Sequence, residues 1–220
     1  MQITTIFAME KEKKNSIQNF KVILLGETGA GKSSLIETIC SKENINCMYD
    51  CNVEFGSREI PILDQPVSIQ FFNMIDSQKT HIFRQKNITT PFFKDSSLII
   101  IVFDLSQPSY IETISRWMFE VEKHRNLFNE QFKILCLGTK ADKKPNHYFL
   151  INSEPLGAEI ALLSKKYNQN ILYYEVTSKD CNSCNKLLNQ IKLLAESHVK
   201  NQSFKDRPMV SNNNRIIAGK

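Results

Sequence analysis

The sequence predicts an α/β protein built on a mainly parallel sheet with helices on both faces. Three observations lead there. Short apolar runs alternate with segments of helical period along the chain. Each such alternation implies a right-handed crossover between parallel strands. A glycine-rich loop joins the first apolar run to the first helical segment.

The first run, Lys21-Val22-Ile23-Leu24-Leu25, stops at Gly26 and reads as a buried strand. After Gly31 a helix is expected, with Leu35, Ile36, Ile39 and Cys40 along one face. Val53 to Leu63 and Val67 to Phe72 read as two strands joined by a turn over Asp64-Gln65-Pro66, an antiparallel edge hairpin. Leu98 to Phe103 is a second buried strand. Ser109 and Glu112 have the spacing of a capping box. The helix they open buries Ile111, Ile114, Trp117, Met118 and Val121. Phe132 to Leu137 is a third central strand. Leu156, Ile160, Leu163 and Tyr167 mark another helix. Ile171 to Val176 is a further strand, and Leu187, Leu188, Ile191 and Leu194 line a final helix. Residues 1–18 are polar and aperiodic and read as a flexible arm. Residues 19–200 form the folded domain, and residues 201–220 read as a disordered tail.

Composition excludes several classes. The chain has 220 residues, 41% hydrophobic and 23% charged, which is ordinary for a globular domain. Its longest apolar run, Leu98 to Phe103, is far too short to span a bilayer. The net charge is +5 and no block of five like charges occurs, so no nucleic-acid arm is indicated. The six cysteines lack the spacing of a disulfide framework. Cys136 lies in an apolar run and reads as core. Cys181 and Cys184 form a lone C-x-x-C, too few ligands for a zinc site. His81, His124, His147 and His198 form no ligand pattern. No signal peptide, myristoylation site or terminal prenylation cysteine is present. The expectation is a cytoplasmic protein with no stable lipid anchor.

Gly26-Glu27-Thr28-Gly29-Ala30-Gly31-Lys32-Ser33 fits G-x-x-x-x-G-K-[ST], followed by Ser34. Strand before and helix after supply the context that gives the motif meaning. Backbone N–H groups at a helix N-terminus can wrap a phosphate. Lys32 adds a point charge for the terminal phosphates, and the Ser33 hydroxyl can ligate Mg²⁺. The loop does not choose the base. Thr139-Lys140-Ala141-Asp142 closes the third central strand. Its carboxylate can accept from guanine N1–H and the 2-amino group together, a pair of donors that adenine lacks. Lys140 can lay its alkyl stem across the base. Thr177-Ser178-Lys179 follows the last strand and can offer a backbone N–H to the guanine carbonyl. An adenine-specific kinase would fit the loop and leave Asp142 and Lys179 unexplained.

From about residue 20 to 198 the chain resembles the Ras superfamily of small GTPases, and within it the Rab branch. Val53-Glu54-Phe55-Gly56-Ser57-Arg58 is similar to the Rab stretch after the first switch, and Ser68-Ile69-Gln70-Phe71-Phe72 to its Leu-Gln-Ile-Trp strand. Phe103-Asp104-Leu105 and Trp117 sit where Rabs carry Tyr-Asp-Ile and Trp. Thr139 stands for the usual Asn, and Thr177-Ser178-Lys179 for Ser-Ala-Lys. The resemblance implies the small-GTPase variant of the P-loop NTPase fold, bound GTP or GDP, and Mg²⁺. It also implies that Phe55, Phe72 and Phe92 occupy the positions of an effector-docking triad. A protein partner would then meet that face, with a larger assembly as one setting.

The switches depart from the family. Its first-switch Thr falls on Asp50 or Cys51, depending on the direction of counting. Its Asp-x-x-Gly-Gln becomes Asn73-Met74-Ile75-Asp76-Ser77. A neutral amide replaces the Asp that supports Mg²⁺. Asp76 replaces the Gly whose N–H meets the γ-phosphate. A carboxylate about 4 Å from a phosphate charge costs about 1–4 kcal/mol. Ser77, at the catalytic Gln position, is too short to hold the attacking water. The expectation is a guanine nucleotide-binding module with slow or absent hydrolysis, no confident catalytic residue and a weakened switch. The alternative is an active Rab-type GTPase of vesicle traffic.

Overall fold

A computed structural model describes residues 17–40, 45–48, 53–74, 86–143 and 156–205. Among these, β1 (Gln18–Gly26) leads through the glycine-rich loop into α1 (Lys32–Ile39). Then come β2 (Ile45–Met48), β3 (Val53–Ile62), β4 (Gln65–Met74) and α2 (Lys86–Phe93). β5 (Leu98–Asp104), α3 (Tyr110–Lys123) and β6 (Lys133–Thr139) follow. α4 (Leu156–Tyr167), β7 (Ile171–Glu175) and α5 (Cys181–Lys205) complete the chain.

The sheet runs β2-β3-β4-β1-β5-β6-β7. From β4 to β7 every neighbouring pair is parallel. The predicted fold class is therefore the observed one. The expected edge hairpin, β3 with β4, is present, and β2 extends it with a second antiparallel pairing. The sequence reading placed no strand at β2.

Alternate strand residues feed two separate cores, as a period of two requires when both faces are covered. Phe20, Val22 and Leu24 of β1, with Leu98, Ile100 and Val102 of β5, meet α1 and α5 through Leu35, Ile36, Leu187 and Ile191. Ile23, Leu25, Ile99, Ile101 and Phe103 face the other way. They meet Phe93 of α2, Ile114, Trp117 and Met118 of α3 and Ile160 of α4. Cys136 is fully buried in this second core, as expected.

Three details differ from the sequence reading. The β3–β4 turn is only Leu63 and Asp64, both at positive φ (50° and 61°), the signature of a type I′ turn. Gln65 and Pro66 belong to β4 instead, where they pair with Ile62 and Pro61. Ser109 does sit at the N-cap of α3, but its side chain makes no capping hydrogen bond. α5 continues to Lys205, past residue 200, where the folded domain was expected to end.

Candidate nucleotide-binding site

The loops after β1, β6 and β7 leave the sheet at the same end, since those strands are parallel. This is the carboxyl edge of an open α/β sheet, with β1 at the point where strand order reverses. A cavity of about 380 Å³ opens there. Thr28, Gly29, Gly31, Lys32, Ser33 and Ser34 line it from the loop, Thr139 and Lys140 from the end of β6, and Ser178 from beyond β7. Leu35, Asn73 and Val176 complete the wall.

Gly26 must be glycine. Its φ is +150°, and an added Cβ would lie 2.1 Å from the Val102 carbonyl oxygen on β5. Lys32 is 5% exposed, and its ammonium donates to the carbonyls of Gly26 and Glu27, each at 2.8 Å. Burial pushes its pKa down to about 8, against the opposing pull of the Glu27 and Glu54 carboxylates. The Glu27 side chain turns out of the loop, accepting from Arg116 and, at 3.1 Å, from the Trp117 indole. It therefore fixes the loop to α3.

The Thr139–Asp142 segment is tied to the glycine-rich loop by one buried hydroxyl. Thr139 Oγ1, with a single proton to share, lies 2.6 Å from the Ala30 carbonyl and 3.0 Å from that of Phe103. Lys140 adopts positive φ (55°), a conformation that costs a non-glycine residue about 1 kcal/mol. Its ammonium pairs with Asp104 at 2.6 Å. Burial alone would raise the Asp104 carboxyl, but hydrogen bonds from Lys140 and Ser106 outweigh it and hold the pKa below the usual range. Asp142 accepts from Lys179 Nζ at 2.7 Å and Thr177 Oγ1 at 2.8 Å. Those two bonds, Lys179 first, hold its carboxyl below its ordinary pKa. The segment after β7 thus converges, through Thr177 and Lys179, on the one carboxylate of the segment after β6.

Asn73, at the end of β4, faces the loop from the opposite side. Its amide nitrogen lies 2.7 Å from Glu54 Oε2 and 3.3 Å from Ser33 Oγ. A carboxylate only accepts, so the nitrogen must face Glu54. Asn73 Oδ1 is buried with no hydrogen-bond partner, the only such side-chain atom among the described residues. Ser33 Oγ, which lines the cavity, is the hydroxyl oxygen that suits Mg²⁺, while the Asn73 nitrogen between it and Glu54 is a donor and cannot ligate a cation. The sequence reading did not single out Glu54. No sequence signal placed it there, because Glu54 comes opposite Asn73 only when the turn after Ile62 takes two residues and not the three that carry turn chemistry.

Of the aromatic triad, Phe72 and Phe92 are each 2% exposed, while Phe55 is half-buried with its ring 5.0 Å from that of Phe72. In this structure two of the three rings belong to the core. Asp50, Cys51, Asp76, Ser77, His81 and His147 lie outside the described residues. Among the described residues no helix is long and apolar enough to cross a membrane.

A G-x-x-x-x-G-K-[ST] loop at the carboxyl edge of a parallel sheet, beside the loops after β6 and β7, is the arrangement of a P-loop protein. The model of the Ras family matches residues 21–197, and the chain belongs to that family. Its similarity runs to Rab proteins. It is 27% identical to the Ras-related protein RABA2a of Arabidopsis thaliana over 57% of this chain and 54% of that protein. It is 27% identical to the GTP-binding protein ypt3 of Schizosaccharomyces pombe over 56% of this chain and 54% of that protein. It is 26% identical to Rab-9A of Homo sapiens over 73% of this chain and 75% of that protein. The chain thus spans about half the length of several of the Rab relatives it matches.

Proposed function

We propose that this chain is a Rab-like protein that binds GTP or GDP, hydrolyses GTP slowly or not at all, and works as a protein-binding module or assembly subunit. The observation that carries the reading is one cavity lined by the glycine-rich loop together with Thr139, Lys140 and Ser178, with the neutral Asn73 beside Ser33 in its wall. Backbone groups from Gly26 to Ser34 and the Lys32 ammonium hold the phosphates. Asp142, oriented by Thr177 and Lys179, accepts from the guanine edge. Lys140, paired with Asp104 and lining the cavity, would lay its alkyl stem across one face of the base. Ser33 is the hydroxyl through which the site would hold Mg²⁺, which when bound neutralises charge on the β- and γ-phosphates.

The switch substitutions support the second half of the reading. With Asp50 or Cys51, Asp76 and Ser77 at the γ-phosphate-sensing and water-positioning places, GTP and GDP lose their differential contacts. A ligand moves a conformational equilibrium only by its differential affinity. The two nucleotides should bind within about tenfold of each other. The half-buried Phe55, beside the covered Phe72, is where a protein partner would meet this face. The protein would then act in the cytoplasm, free or assembly-bound.

Release and identification of the nucleotide from purified protein tests the ligand. Asp142→Asn tests the base: its amide pairs with the extra carbonyl of xanthine, so preference should pass from GDP to XDP. An unchanged preference would sink the guanine assignment.

A further inference from the structure

Cys181-Asn182-Ser183-Cys184 is a motif that the nucleotide site leaves unused. β7 ends at Glu175 and α5 opens at Cys181, so this C-x-x-C follows a strand and a short loop and spans the first turn of a helix. Among the cysteines whose burial is described, Cys181 is exposed, while Cys40, Cys136 and Cys184 are buried. An exposed thiol with a buried one three residues on has the layout of an attacking and a resolving cysteine. Burial raises the Cys184 pKa, and the neighbouring Cys181 and Asp180 raise it further, so Cys181 is the thiol that reacts first. Residues three apart on a helix hold their Cβ atoms about 5–6 Å apart. A disulfide takes about 3.5–4.5 Å. Closing that gap tightens one turn at a helix end, where the N–H groups of Asn182 and Ser183 are held by the Asp180 carboxylate (3.0 and 3.2 Å) and not by the helix itself. The buried thiol also touches the loop after β7. Cys184 Sγ donates to the Thr177 carbonyl at 3.6 Å, and the Thr177 hydroxyl donates to Asp142 at 2.8 Å. Ser178, the next residue, lines the cavity.

Resting on the guanine-nucleotide reading above, the geometry points to Cys181 and Cys184 as an oxidation site whose closure loosens the loop that meets the base. The oxidant is a low-molecular-weight disulfide such as oxidised glutathione. The Cys181 thiolate attacks it, its S–S bond breaks, and the departing thiolate takes up a proton. The Cys184 thiolate then attacks the Cys181 sulfur of the mixed disulfide and expels the second thiol. Two protein thiols lose two electrons and two protons, and one disulfide gains them to become two thiols. A disulfide sulfur has no proton to donate. The Thr177 carbonyl therefore loses its bond from Cys184 and keeps the one from the Asp180 N–H at 3.2 Å. The Cys184 side chain must also turn from Thr177 toward Cys181. GDP affinity should fall, and by linkage bound GDP should make the pair harder to oxidise by the same factor.

The test equilibrates the full chain, with and without GDP, in mixtures of reduced and oxidised glutathione. Free thiols are blocked with N-ethylmaleimide, the peptide holding residues 181–184 is mapped by mass, and GDP affinity is measured on the same samples. The expected product is an intrachain 181–184 disulfide with GDP affinity lower by about 2- to 10-fold, the scale of one lost hydrogen bond. Cys181→Ser should bind GDP as the native chain does under reducing conditions and should lose the response to oxidant. Cys184→Ser should stop at one glutathione on Cys181. Ring closure is read on the native chain, so it does not depend on either variant folding. No 181–184 disulfide in fully oxidised glutathione, a disulfide that leaves GDP affinity unchanged, or an oxidant response that persists in Cys181→Ser overturns the proposal and leaves the guanine reading intact. A chain that closes the disulfide but holds no guanine nucleotide in either state overturns the nucleotide reading and the coupling together.

Discussion

Thr139→Val removes one hydroxyl and changes almost nothing else in volume. The Thr139 oxygen is the donor between the Ala30 carbonyl of the phosphate loop and the Phe103 carbonyl of β5, on a residue 6% exposed. Valine offers no donor and excludes the water that could replace it. A buried carbonyl stripped of its partner costs about 1–3 kcal/mol. In a domain of this size each kcal/mol moves the melting temperature by about 2–4 °C. The expected fall is therefore about 2–12 °C by thermal denaturation of the nucleotide-free protein. Thr139→Ser keeps the donor and loses one methyl, so it should lie within about 1 kcal/mol of native. The loop consequence is separate. Ala30 sits between Gly29 and Gly31, so freeing its carbonyl loosens the phosphate cradle, and GDP should leave the Val variant faster than the Ser variant. Equal melting temperatures for the two variants, or a Val variant that melts with the native protein, would refute the claim that this hydroxyl couples base motif to phosphate loop.

Two further outcomes follow from the same loop. Gly26→Ala must move the Val102 carbonyl, 2.1 Å from the new Cβ, and should cost more than about 3 kcal/mol; Gly29→Ala, at φ +80° with nothing within 4 Å, should cost only the backbone strain of about 1–2 kcal/mol. Similar losses in chemical denaturation would show that the β5 contact is not what fixes Gly26. Lys32, lowered to about 8 by burial, is charged below that pH and neutral well above it, while a bound phosphate favours the charged form. GDP binding should hence take up a fraction of a proton that grows from pH 7 to pH 8.5, read as buffer-dependent heat in titration calorimetry, and affinity should fall as pH rises. The nucleotide-free fold runs the other way: with Lys32 lowered in the folded state, the unfolded chain binds more protons between about 8 and the ordinary 10.5, so stability should rise across that window. Proton uptake that stays flat with pH would refute the lowered Lys32.

The elements that were legible are those whose burial is written into one segment. The β1, β5 and β6 runs are apolar on both faces because both faces are covered, and Gly26 to Ser33 carries its own punctuation. The convergence of Asp142 on Thr177 and Lys179 was legible through order alone, since successive parallel strands deliver their loops to one edge. What was not legible turned on pairing register. Asp64, Gln65 and Pro66 all carry turn chemistry, and a turn over all three would set Glu54 against Asp76 instead of Asn73. The actual turn takes Leu63 and Asp64 into positive φ and keeps Pro66 in the strand. Pro66 is tolerated because β1 first pairs with β4 at Val67, and Pro61 because, among the described residues, β2 pairs with residues 53–56 of β3. Neither proline stands where a flanking strand needs its missing N–H. Those two free flanks, which no local pattern announces, set the register. The register then sets the buried Glu54 directly behind Asn73, the neutral residue that lines the pocket where the family carries a charge.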